Sequence, residues 1–199
     1  MPRFNRTIVH IFSWAIPLML GMAVLPNSLR AEEVEFSKGR FVTYDKPEGF
    51  KAVVAHDPDD QFQPTLKFSH FSPSGIKDFG FKIDIHPADP GMLRQDEFAA
   101  ELMSDLCGRL DAGSVEGTVP IRKRQGDNDV WYCYATDAKL QKASVLPPGS
   151  YRIISVAFSR YEGYGFTAIA YSQSVSDSLY RDFLNTMANL SVRESIPRR

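Results

Sequence analysis

The residues best suited to chemistry fall into a few small groups. His56, Asp57, Asp59 and Asp60 place one imidazole and three carboxyls within five positions, a donor set that could hold a divalent ion. The run lacks the EF-hand spacing, its central glycine and its closing Glu. An Asp-rich loop also forms an ordinary solvated turn, so the metal-binding and plain readings both stand. His86, with Asp84 and Asp89, repeats the theme more weakly at a strand end. His70 shares a predicted strand face with Leu66 and Phe68, which points to a hydrogen-bonded core imidazole rather than a ligand. Gly163-Tyr164-Gly165-Phe166-Thr167-Ala168 fits the dinucleotide pattern G-x-G-x-x-A. That chemistry needs a helix N-terminus after the glycines, whereas Phe166 to Tyr171 reads as strand, so a hairpin turn is expected and no cofactor. The chain has no H-E-x-x-H helix, no G-x-S-x-G elbow and no Walker-type phosphate loop. No Ser or Cys stands in an activating sequence setting.

Residues 1–31 read as an export signal, with Arg3 and Arg6 ahead of an apolar run from Ile11 to Leu25. Pro26, Asn27 and Ser28 follow, and Ala31 precedes Glu32-Glu33, so cleavage is expected after Ala31. The rival is a membrane anchor, since Arg6 and Arg30 bracket a stretch long enough to span a bilayer. Pro17 within the run and Ala31 beyond it favour cleavage, and a periplasmic or secreted location follows. No Cys follows the apolar run for lipid attachment. In an oxidising compartment the two cysteines, Cys107 and Cys133, are expected to form a structural disulfide. Their spacing suits neither a C-x-x-C redox site nor, alone, a zinc site.

Losing residues 1–31 removes three arginines and no acid. The 23 basic and 24 acidic residues of the chain become 20 and 24, a net charge near −4. That balance argues against nucleic acid or an anionic membrane as the main partner. The remaining residues, 32–199, suit a single domain with a folded core over 36–192 and a flexible tail.

Several elements must position these groups. Residues 32–39 look like a polar lead-in. Residues 40–44 and 50–56 flank a Pro/Gly turn and predict a hairpin. A strand over 65–71 is followed by the clearest one, 79–86, whose Phe79, Phe81, Ile83 and Ile85 share one face. The spacing of Phe98, Leu102, Leu106 and Leu110 predicts a helix over 95–110, with Cys107 on its flank. Strands are expected over 115–124, 130–140, 151–161 and 165–171. A closing helix is expected over 175–192, with 174–177 as a capping box. Arg122-Lys123-Arg124 reads as a solvated strand edge that deters aggregation. The fold class is α+β, an α/β/α sandwich with a central, mostly antiparallel sheet of about six to eight strands and two long amphipathic helices.

The turn Tyr44-Asp45-Lys46-Pro47-Glu48-Gly49-Phe50, the mid-chain helix around Glu97-Phe98-Ala99 and the closing helix from Leu179 to Leu190 together resemble the PsbP/Mog superfamily in element order. The resemblance implies that same sandwich and a non-enzymatic binding or assembly role. The expected function is an exported, non-catalytic accessory protein that engages an envelope or secreted protein. Tyr161, Tyr164 and Phe166, around the Glu162-Gly163 turn, are candidate partner contacts, although strand aromatics commonly cover a core edge. The alternative is a metal-assisted hydrolase or metal-binding protein using His56 and Asp57, Asp59 and Asp60.

Overall fold

A computed structural model describes residues 30–56, 64–73, 75, 77–93, 95–147 and 149–195. Its strands are β1 (Arg30–Ser37), β2 (Arg40–Lys46), β3 (Phe50–His56), β4 (Pro64–Phe71), β5 (Lys77–Pro87), β6 (Arg122–Arg124), β7 (Val130–Thr136), β8 (Ile153–Tyr161), β9 (Tyr164–Ser172) and β10 (Ser191–Glu194). The helices are α1 (Pro90–Leu93), α2 (Asp96–Asp111) and α3 (Ser178–Ala188). Seven strands form one sheet in the order β3-β4-β5-β9-β8-β7-β6, with every neighbouring pair antiparallel. A second sheet runs β1-β2-β10. The α+β sandwich expected from the sequence is the observed fold.

Alternation along β5 sorts the large sheet into two faces. Phe79, Phe81, Ile83 and Ile85 are buried on the inner face, where Phe68 of β4 and Phe166, Ala168 and Ala170 of β9 pair alongside them. α3 covers this face through Tyr180, Phe183 and Met187. The small sheet covers it through Phe36, Val42 and Tyr44, with the Tyr44 ring edge-on to Phe68 at 5.2 Å. Burial, and then the Glu32 carboxylate that accepts the phenol hydrogen bond, hold Tyr44 well above the ordinary tyrosine range.

α2 lies on the outer face over β7 and β8, packing on Cys133, Ala135, Val156 and Phe158. Its buried line is Ala99, Met103 and Cys107, while Phe98, Leu102, Leu106 and Leu110 are half-buried. The helix is therefore turned by one residue from the predicted stripe. Its centre is the position from which Cys107 bonds Cys133, with the two Cα atoms 6.1 Å apart. The expected disulfide is present.

The N-terminus of α2 is clamped electrostatically. Asp96 accepts from Lys123 Nζ at 3.0 Å and from Arg160 at 2.6 Å, while Lys123 also reaches Asp129 at 2.8 Å. Those hydrogen bonds hold the Asp96 carboxyl below its ordinary value. A depressed folded value makes the clamp complete above the unfolded-state pKa and releases it as pH falls through the folded one. Asp96→Asn is accordingly expected to lower the Tm at neutral pH, with the difference from wild type closing as pH falls through and below the ordinary aspartate range. Paired melts across that range check this, and a difference independent of pH would count against it.

Several local expectations change. Residues 32–39 form most of β1 rather than a lead-in, because Phe36 is buried and the acidic side chains find partners. Lys46 pairs with Glu32 at 2.5 Å and Arg193 with Glu33 at 2.7 Å. β2 and β3 do not pair as a hairpin. The turn between them, with Gly49 at φ +80°, moves the chain from one sheet to the other. Of residues 115–124 only Arg122–Arg124 is strand. The rest is a loop held by Glu116, which accepts from the Thr136 amide at 2.9 Å and its hydroxyl at 2.7 Å. Burial would raise that carboxyl, but the Thr136 hydrogen bonds bring it below its ordinary value. β7 ends at Thr136, and Asp137 turns the chain by accepting from the amides of Lys139 and Leu140.

The closing helix is shorter than predicted. Asp177 is its N-cap and accepts from Leu179 N, so no capping box starts at Ser174. Asn189 ends it, and Val192 belongs to β10. Arg122-Lys123-Arg124 is the sheet edge, as expected, but its side chains are engaged rather than merely solvated. Arg122 lies over Tyr134, Lys123 over Trp131, and Arg124 donates to Asn185. Folded structure runs beyond 36–192 at both ends, from Arg30 to Glu194. Ala31, the expected cleavage position, pairs with Asp45, whereas residues 1–29 of the expected leader lie outside the described residues. Among the described residues no helix is long and apolar enough to cross a membrane.

Candidate functional site

α2 shields only β7 and β8, so the outer face of β3, β4, β5 and β9 is left open. Apart from the glycines Gly80 and Gly165, every described outward side chain there is exposed or half-buried. Antiparallel register brings residues from four strands together. Lys67 of β4 stands directly opposite Lys82 of β5, and Lys51 of β3 is opposite Ser69 beside it. Lys77 folds its side chain over Gly80, where any Cβ would meet its Cε at 2.5 Å. Apolar side chains edge the same face, with Val53 60%, Phe71 42% and Tyr171 38% exposed. Lys51 sits over the Phe71 ring at 5.4 Å, and Tyr151 tilts against Tyr171 at 5.7 Å.

A polar row crosses this face nearer the β5 C-terminus. Asp84 accepts from Thr65 at 2.7 Å and from Lys82 at 3.1 Å. His86 Nε2 lies 2.8 Å from the Thr167 hydroxyl, within the reach a base needs to activate an oxygen nucleophile. A neutral imidazole accepts from that hydroxyl, and a charged one donates to it.

The sequence candidates scatter across the molecule. Phe166 is fully buried and Tyr164 is 9% exposed, both on the inner face. Alternation from Ile85, which pairs with Phe166, carries them into the core, so they are not contacts for a partner. Tyr161 is half-buried at the edge of a cleft of about 420 Å³ lined also by Asp45, Asp127, Asn128 and Asn189. The glycine motif is the β8–β9 turn, with Glu162 at φ 50° and strand directly after it. His56 ends β3, whereas Asp57, Asp59 and Asp60 lie outside the described residues. Among the described residues no three His, Cys, Asp or Glu side chains converge as a metal site. His70 is half-buried, with Nδ1 2.6 Å from Asp78. Asp89 precedes α1 and accepts from Gly91 N at 2.7 Å.

Sequence reading missed the lysine face. Each lysine occupies an ordinary polar position of an alternating strand, and only strand order and register place them side by side. The period-two pattern could have flagged Lys67 and Lys82 as outward, but not as neighbours. No protein-family model matches the chain, and no curated protein matches it.

Proposed function

We propose that this protein is an exported, non-catalytic binding protein that engages a partner protein through the open outer face of β3, β4, β5 and β9. The observation that carries the reading is that unshielded half-sheet, with Val53, Phe71 and Tyr171 exposed along it. Exposed apolar side chains gathered on one face are characteristic of interaction surfaces. The disulfide supports an oxidising compartment, and the resemblance to the PsbP/Mog superfamily supports a non-enzymatic role. The test is site-specific photo-cross-linking in the native envelope from positions 53 and 171. Position 145 serves as the control, because Val145 is 82% exposed and belongs to the loop after β7 rather than to a strand of this face. Adducts to one identified protein from 53 and 171 but not from 145 are expected. Equal labelling at all three positions would sink the reading.

The His86–Thr167 contact favours a second reading, hydrolysis by an activated threonine. Measured ester or amide turnover by the purified protein, abolished in Thr167→Val, would replace the binding role with this one.

A further inference from the structure

The open face gathers lysines from three strands. Like charges directly opposite on adjacent strands are destabilising, yet Lys67 and Lys82 occupy such a pair. Side chains at this spacing have Cβ atoms about 4.5–5.5 Å apart. Lys51 joins them from β3, and Lys77 joins them over Gly80. Asp84 engages Lys82, but Lys67 and Lys77 have no carboxylate at ion-pair distance among the described residues. A chain with an acidic overall balance therefore gathers unneutralised ammonium groups on a sheet face that α2 and α3 leave open.

We infer that this face docks an acidic polypeptide segment, an assignment that rests on the binding role above and gives its partner a chemistry. A second copy of the same face is disfavoured, since it would bring lysines against lysines. Among the described residues β3 is the terminal strand of the sheet, with no strand hydrogen-bonded beyond it. Its free edge offers backbone donors and acceptors that suit an extended peptide and that neither a lipid surface nor a glycan matches in register. Val53, Phe71 and Tyr171 supply apolar contact beside the charges, and carboxylates at alternate positions of the incoming segment would fall on the lysine side.

The experiment measures fluorescence anisotropy of labelled poly-L-glutamate titrated with the exported protein, at low and moderate salt. Dextran sulfate and anionic-lipid vesicles are run as parallel probes. Wild type is expected to bind polyglutamate, and the triple variant Lys51→Gln, Lys67→Gln, Lys77→Gln to bind at least about tenfold more weakly with a shallower salt dependence. The matching Lys→Arg triple is expected to restore binding, with unchanged Tm in both variants showing that the fold survives. Equal polyglutamate binding by wild type and the Gln triple overturns the assignment, as does stronger binding to dextran sulfate or vesicles. Cross-linking from position 53 separates the two levels. Adducts that persist in the Gln triple leave the docking face standing and overturn only its acidic partner, whereas labelling no greater than at position 145 overturns both.

Discussion

Loss of the Cys107–Cys133 bond is expected to lower the Tm by roughly 7–14 °C, combining the loop-closure cost with the usual Tm response for a chain of this size. The cysteines are 26 residues apart in sequence, and a loop of that length corresponds to about 3.5 kcal/mol in the chain-entropy treatment. The enclosed segment has little regular structure. It runs from the last turn of α2 through Gly113 and Gly117, both at positive φ, to the three-residue β6 and the turn before β7. Released, it has many conformations to gain. In the folded state the bond also fixes α2 against β7, so its loss should loosen the helix first. The Cys107→Ser/Cys133→Ser variant and the reduced wild type should melt alike, with hydrogen exchange rising most in α2. A reduced protein that melts with the oxidised one, or two alkylatable thiols in exported material, would refute the prediction.

The elements that read correctly from sequence are those whose pattern is enforced by burial on one side. β5 shows its period of two because Phe81 meets α3 while Lys82 meets solvent. α2 shows its start because Asp96 and Glu97 suit a helix N-terminus. What escaped is set by contacts distant in sequence. β1 looks like a polar lead because Glu32, Glu33 and Glu35 surround its buried Phe36, and the charges of Glu32 and Glu33 are met by β2 and β10. β2 and β3 look like a hairpin because a turn joins them, yet β2 pairs instead with β10, more than a hundred residues on. α3 reads too long because Leu190 and Val192 continue an apolar pattern that Asn189 has already ended. The lysine face is the extreme case, since its members sit on three strands, β3, β4 and β5. No local pattern links Lys67 to Lys82, and pairing register alone sets them opposite each other.

That register can be tested through two adjacent residues. Phe81→Ala is expected to cost about 3–5 kcal/mol, a large share of the typical total of about 5–15 kcal/mol. The Phe81 ring is 3% exposed. It stacks on Phe68 at 4.4 Å, and its centroid lies 5.1 Å from that of Phe183 and 5.7 Å from that of Phe50. Relaxation into the void is limited on each side, because Phe68 is held by Tyr44 and Phe183 is anchored on α3. Ala170, opposite Phe81 on β9, is too small to fill it. Lys82→Ala, one residue along, should change stability by no more than about 0.5 kcal/mol, because that side chain points into solvent. Denaturant melts of both variants decide the matter. A small loss at Phe81, or a comparable loss at Lys82, would mean that β5 faces the other way. Lys82 would then not stand beside Lys67, and the proposed docking of an acidic segment would fall with the register that supports it.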